Sequence, residues 1–296
     1  MEEKVVRKKL FSRDFTLVVI GQIISLFGNA AVRFALPLYL LNLTGSAALY
    51  GTVTACAFLP AVILSPFGGM IADRVNKRNI MVALDFFTAA VLFGFFFLSS
   101  SGGLSSGDGL VMLLTATLMV LYGIAGAYQP AVQASVPALV GQEQLMAANS
   151  AINVVNSLAS LLGPVLGGIL YSAYGLSPVL ILCVACFFLS AVMECFIRIP
   201  YVRREGGGSV GEMVRRDFSE SVRFIRREKP VVGKAVLAAF GLNLFLSAML
   251  VVGIPYLVTE VFSLEAEQAN RLCGFAQGSL SAGGLAGGIL AGIFGK

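Results

Sequence analysis

Histidine is missing from this 296-residue sequence, and only 12% of its residues are charged. Without imidazole there is no His-based acid–base catalysis and no imidazole metal centre. No G-x-x-x-x-G-K-[ST] phosphate loop occurs, which excludes nucleotide hydrolysis by that route. Nothing resembles a nucleophile elbow or a paired-carboxylate active site. The five cysteines, Cys56, Cys183, Cys186, Cys195 and Cys273, all lie in or beside apolar runs. Cys183 and Cys186 have C-x-x-C spacing, but their apolar neighbours favour small buried hydrophobes over a metal or redox pair. The expectation is a chain that is not an enzyme and has no cofactor and no metal.

Apolar sequence is what the chain does have. It is 57% hydrophobic with a mean hydropathy of +0.86, whereas soluble domains carry about a quarter charged residues. Eight apolar runs approach or exceed the roughly 18 residues needed for a membrane-spanning helix. They are Leu17–Leu41, Ala48–Ile71, Ile80–Leu98, Leu110–Tyr128, Leu145–Tyr171, Val179–Ile197, Ala235–Val258 and Leu272–Phe294. The fold class expected is all-α, a polytopic membrane protein of about eight transmembrane helices. Phe15 to Leu41 corresponds to about 40 Å of helix, too long for the 7–15-residue apolar region of a cleaved signal peptide.

The net charge of +5 encodes orientation. Basic residues cluster in the tail (Lys4 to Arg13), in the second-to-third helix turn, between Arg198 and Lys234, and at Lys296. Alternate loops share a side, so nineteen of the 21 lysines and arginines fall on one face. The positive-inside rule then puts the N-terminus in the cytoplasm. The lipid bilayer, not nucleic acid, is the expected partner.

The polar stretch from Arg198 to Pro230 divides the chain. The expected units are a six-helix bundle over 1–198, a basic linker over 199–230, and two helices over 231–296. Within the linker, Val214, Phe218, Val222 and Ile225 recur at helical spacing among arginines. That fits a basic amphipathic helix on the inner leaflet or a solvated linker. A weak internal repeat supports the division: Leu36-Pro37-Leu38-Tyr39 parallels Ile254-Pro255-Tyr256-Leu257, and Tyr50-Gly51 parallels Cys273-Gly274. The second half stops where its own charged turn would begin, so the sequence is expected to be C-terminally truncated.

That charged turn, Gly69-Met70-Ile71-Ala72-Asp73-Arg74-Val75-Asn76-Lys77-Arg78, resembles the G-x-x-x-D-R-x-G-R-[RK] motif of the major facilitator superfamily, with Asn76 for the usual glycine. Gly163-Pro164-Val165-Leu166-Gly167-Gly168 resembles the antiporter motif of facilitator exporters, although small-residue packing alone accounts for GPxxGG. Leu43-Thr44-Gly45-Ser46 and Gln142 to Ser150 add to the likeness. Together these segments resemble the exporter branch that contains bacterial macrolide-efflux and enterobactin-export proteins. The resemblance implies a bacterial cytoplasmic-membrane exporter of small amphipathic molecules (drug, macrolide or siderophore-like), driven by protons through alternating access. It also implies that Gly69, Asp73, Arg74, Lys77 and Arg78 form an inner gate. Two other readings are a truncated, non-transporting membrane protein that acts as a scaffold or needs a partner, and the membrane subunit of an ATP-driven pump.

Polar residues inside spans mark the pathway, because such groups face a cavity or another helix. Gln22, Ser25, Asn29 and Arg33 share one face of the first helix. The repeat aligns Ser25 and Asn29 with Asn243 and Ser247 of the seventh, and in the family helices one and seven line the cavity. These six residues are the expected substrate pathway. A second stripe, Asn149, Asn153, Asn156 and Ser160, fits helix-to-helix hydrogen bonding. Arg33 either binds an anionic or carbonyl group of cargo or snorkels to headgroups. Asp85 either carries the coupling proton or pairs with Arg74 or Arg78. Glu194, a second proton-coupling candidate, is expected by default to form an interfacial ion pair with Arg198.

Overall fold

The computed structural model describes residues 11–100, 107–199, 219, 222–262, 264 and 266–294. Eight helices of at least 19 residues run through them: α1 (Arg13–Thr44), α2 (Ala47–Arg74), α3 (Lys77–Ser100), α4 (Asp108–Leu139), α5 (Leu145–Tyr174), α6 (Leu176–Glu194), α7 (Pro230–Ala248) and α8 (Ala266–Phe294). Among the described residues, α1 to α6 are long and apolar enough to cross a membrane. The seventh expected span is not one regular helix. Beyond Ala248 it continues through a π turn (Met249–Gly253), one α turn around Pro255, and a second π turn (Leu257–Val261).

Local sequence sets the boundaries. Ser12 caps α1 by accepting the Phe15 N–H at 3.3 Å, one of the donors that a helix start leaves unsatisfied. Thr44-Gly45-Ser46 carries the turn into α2. Gly45 closes α1 at φ 61°, a conformation that favours glycine, and the Ser46 hydroxyl accepts the Leu49 N–H at 3.2 Å. Asn76 takes the motif's glycine position because it caps α3: its side-chain oxygen accepts the Arg78 N–H at 3.1 Å. Pro230 opens α7 in the first turn, where its missing N–H costs nothing.

The fourth helix corrects the expectation from sequence. The expected run ends at Tyr128, but the helix continues to Leu139, through both Pro130 and Pro137, and a 3-10 turn follows at Gln142–Gln144. Tertiary packing overrides the prolines here. Tyr128, Ala131, Val132, Ser135, Val136 and Leu139 keep helical spacing and are all buried. The expected amphipathic linker helix lies mostly outside the described residues. Phe224–Glu228 forms a π turn.

Small residues bring the helices together. α1 packs between α5 and α6, α3 between α4 and α6, and α2 lies along α4. At the α2–α4 contact, a Cβ on Gly126 would come within 2.9 Å of the Ala61 carbonyl oxygen. On α1, Gly21 faces Ser190 and Glu194, and Gly28 faces Cys183 and Cys186, so α6 approaches over both glycines. The Cys183 thiol donates to the Gly28 carbonyl at 3.3 Å. All five cysteines are free, and among the described residues no cluster could hold a metal.

Two apolar clusters hold the bundle. One contains Phe15, Met81, Val132 and Ile197, toward the face where α1 begins. The other contains Leu36, Leu92, Leu118 and Phe187, toward the opposite face. The polar site lies where they meet.

Candidate functional site

A cavity of about 560 Å³ opens between α1, α2, α4, α5 and α8. Helix α1 contributes Leu26, Asn29, Ala30, Arg33 and Phe34, and α2 contributes Tyr50 and Phe58. Tyr122, Ala125 and Gln129 come from α4, and Asn156, Ala159, Ser160 and Pro164 from α5. Gln277 and Ser281 enter from α8. The wall combines aromatic faces with hydrogen-bonding groups, as small-molecule sites do. Arg33 is its one charged residue among the described residues. Its guanidinium carbon lies 3.4 Å from the centre of the Tyr122 ring, and Phe58 packs edge-on against that ring at 4.5 Å. Arg33 therefore faces the cavity.

Beside this cavity is a chamber of about 20 Å³, enough for a single water. Ser25, Asp85, Thr88, Tyr128 and Phe187 line it, and it shares Leu26, Asn29, Ala125 and Gln129 with the large cavity. Asp85 is 2% exposed and Glu194 fully buried. The Gln22 amide donates to the Tyr128 hydroxyl at 2.6 Å, and that hydroxyl donates to Glu194 Oε1 at 2.7 Å. Gln22 Oε1, Ser25 Oγ, Asp85 Oδ2 and Glu194 Oε2 are buried without a hydrogen-bond partner. Unsatisfied buried polar atoms are expensive, and four of them gather here.

This geometry corrects the ion pair expected of Glu194 and one of the two partners expected of Asp85; the other, Arg74, has its side chain outside the described residues. Glu194 does not pair with Arg198, whose backbone N–H is accepted by Asp14 at 3.2 Å. The close approach of α6 over Gly21 draws Glu194 inward, onto Tyr128. Asp85 does not pair with Arg78. The guanidinium of Arg78 bonds the carbonyls of Glu194, at 3.4 Å, and of Cys195. Arg78 thus caps α6, where a cation complements the helix dipole. Among the described residues the one ion pair is Arg271 with Glu267, at 2.6 Å.

The other expected site residues distribute unevenly. Asn29 and Arg33 line the cavity. Gln22 and Ser25 belong to the buried cluster. Asn243 lies on an exposed face of α7, its amide turned back onto the Ala239 carbonyl at 2.9 Å, and does not line the cavity. The side chains of Asp73, Arg74 and Ser247 fall outside the described residues. Gly69 lies in the last turns of α2, and Lys77 is half-buried at the start of α3. Of the α5 stripe, Asn149 and Asn153 are exposed, and Asn156 and Ser160 reach the cavity wall.

The GPxxGG segment is a two-sided seam. A Cβ on Gly163 would overlap that of Ala30, and one on Gly167 would lie 3.2 Å from the Ala31 Cα. A Cβ on Gly168 would meet the Asn270 carbonyl oxygen of α8 at 3.0 Å. Beside it, the Ser281 hydroxyl donates to the Ser160 carbonyl at 2.9 Å. Sequence reasoning misses Tyr122, Tyr128, Gln129, Gln277 and Ser281. Gln129 is hidden by the prolines that follow it. Tyr122 and Tyr128, about 1.7 turns apart at 3.6 residues per turn, pass for apolar bulk.

The chain matches the model of the Major Facilitator Superfamily over residues 18–296. It is 25% identical to macrolide efflux protein A of Streptococcus pyogenes over 287 residues, which is 95% of this chain and 67% of that protein. It is 28% identical over 229 residues to multidrug resistance protein MdtG of Citrobacter koseri, covering 75% of this chain and 52% of that protein. MdtG of Rahnella sp. is 30% identical over 177 residues, 57% of this chain and 39% of that protein. The chain thus spans about two thirds of the first relative's length and about half or less of the other two. Multiple membrane-capable helices, no strand among the described residues and a family match across nearly the whole length agree, and the chain belongs to the Major Facilitator Superfamily.

Proposed function

We propose that this chain forms the membrane body of a proton-coupled exporter of small amphipathic molecules. Cargo occupies the central cavity, and protons exchange at Asp85 and Glu194. The observation that carries this reading is the shared wall: four residues line both the cavity and the chamber holding Asp85. A proton arriving at the carboxylates is therefore felt one side chain away from cargo. The names of the relatives, macrolide efflux and multidrug resistance, support export.

In this reading the protein is a multi-pass protein of the bacterial cytoplasmic membrane with its N-terminus inside, as nineteen inward-lying basic residues favour. The bundle of 1–198 rocks against the helices of 231–296 about the linker 199–230. The smooth seam at Gly163, Pro164, Gly167 and Gly168 lets α5 shift against α1 and α8. Gly69, Asp73, Arg74 and Lys77 form the inner latch, and Arg78 ties that turn to the helix end bearing Glu194.

Everted vesicles containing the chain test this reading. With a respiratory proton gradient in place, at least one of a panel of anionic, neutral and cationic amphipathic molecules should partly collapse the gradient. Asp85→Asn and Glu194→Gln should each abolish that collapse while leaving the protein in the membrane. Collapse that persists in both variants, or vesicles that behave as empty ones, would rule out the reading.

A further inference from the structure

Among the described residues, no acidic side chain balances the charge of Arg33. No Asp or Glu lines the 560 Å³ cavity among the described residues, and no described ion pair or hydrogen bond occupies the five N–H groups of the guanidinium. Its contact is the face of Tyr122 at 3.4 Å. A π face steadies a cation without neutralising it and leaves the N–H edges free for an acceptor. Asp85 is walled off in its own small chamber, and Glu194 is turned onto Tyr128. Around Arg33 the wall supplies aromatic surface from Phe34, Phe58 and Tyr122, and hydrogen-bonding amides from Asn29, Gln129 and Asn156.

We infer that the cavity selects anionic amphiphiles: molecules with an aromatic or apolar body and one carboxylate, sulfonate or phosphate group, which Arg33 engages through its planar fork. The inference rests on the cavity being the cargo site and adds the charge of the cargo. Arginine suits the task because its fork matches an oxyanion in two-point geometry, which a lysine cannot reproduce. The aromatic and aliphatic part of the wall lowers the local dielectric and strengthens that contact relative to bulk water. The same field repels a cation of equal size.

A matched pair of dyes reads this directly. 8-Anilinonaphthalene-1-sulfonate and N-phenyl-1-naphthylamine share one body and differ by the sulfonate. Binding of each is measured by equilibrium dialysis against the chain in phosphatidylcholine nanodiscs, with empty discs subtracted. Arg33→Gln is expected to weaken the sulfonate by about tenfold or more, as loss of a charged hydrogen-bonding partner does, and to leave the neutral dye within about twofold. Arg33→Lys should fall between. Tyr122→Leu, which removes the ring under the guanidinium, should also weaken the sulfonate more than the neutral dye, and size-exclusion profiles check that each variant folds. Equal losses for both dyes, or no loss for the sulfonate, would overturn the selection by charge and leave the cavity as the cargo site. Failure of both dyes to bind the unmodified chain would overturn the cavity reading and this inference together.

Discussion

Asn42 on α1 donates its side-chain amide to Asn270 Oδ1 on α8 at 2.8 Å, and the same amide lies 3.3 Å from the Tyr171 hydroxyl of α5. This joins three helices at the face opposite the α1 N-terminus. Beside it, the Ser172 hydroxyl donates to the Glu267 carbonyl at 2.8 Å, and Asn270 is buried. These polar contacts tie α1, α5 and α8 together at this face, alongside the close approaches at Gly163, Gly167 and Gly168.

If that contact holds the face shut, Asn42→Ala should open it more often. Cys273 is fully buried, three residues beyond Asn270 on the same helix. In a chain with Cys273 as its sole cysteine, Asn42→Ala should speed labelling by a membrane-impermeant thiol reagent severalfold. An unchanged labelling rate would mean that Asn42 does not hold the face.

Tyr128 links Gln22 to Glu194, so removing its hydroxyl orphans a donor and an acceptor. Tyr128→Phe should destabilise by about 1–3 kcal/mol, the usual cost of leaving buried polar partners unpaired. Gln22→Leu in the same background should cost little more, because the amide has already lost its acceptor. Additive thermal shifts in this double-mutant cycle would show that the two side chains are not coupled.

The helical class, most helix limits and one side of the site are legible in the sequence, and the reasons the rest is not are local. Apolar length suffices for α1 to α6 because lipid demands it. Asn29 and Arg33 are legible because polar side chains at helical spacing are conspicuous in an apolar run. Glu194 misleads because position at a helix end says nothing about what a neighbouring helix buries. Only Gly21, by letting α1 and α6 close together, turns that end inward. Gly21 and Gly28 are two turns apart in the sequence and form that seam, a signal available but indistinct among 33 glycines. The length of α4 is illegible because prolines argue for a break and only tertiary packing overcomes that tendency. Asn243 misleads because the repeat aligns sequence positions, while π turns beyond Ala248 change the register of α7 relative to α1.

Close approach at the α1–α5 seam gives a prediction with an internal control. A side chain at Gly163 meets Ala30, whereas one at Gly94 on α3 meets nothing within 4 Å. Gly163→Val should therefore cost about 1–3 kcal/mol, the range for overpacking. Gly94→Val should stay within about 0.5 kcal/mol, as surface changes do. Thermal unfolding in one detergent compares the two, and equal losses would remove shape as the reason for the motif.

Arg78 connects the charged turn to the buried carboxylate by capping the helix that bears it. The end of α6 exposes carbonyls with no intrahelical partner, and Arg78 reaches two of them, on Glu194 and Cys195. Arg78→Gln should cost about 1–2 kcal/mol, the upper range for a cation at a partly buried helix C-terminus. Arg78→Lys should recover only part of this, since an ammonium cannot span two carbonyls in a fixed plane. The decisive measurement is local. Hydrogen exchange at the Cys195, Phe196 and Ile197 amides, which bond carbonyls of the preceding turn, should quicken in Arg78→Gln more than exchange at the centre of α6. Uniform quickening along the helix would mean that Arg78 stabilises the bundle as a whole and does not hold Glu194 in place.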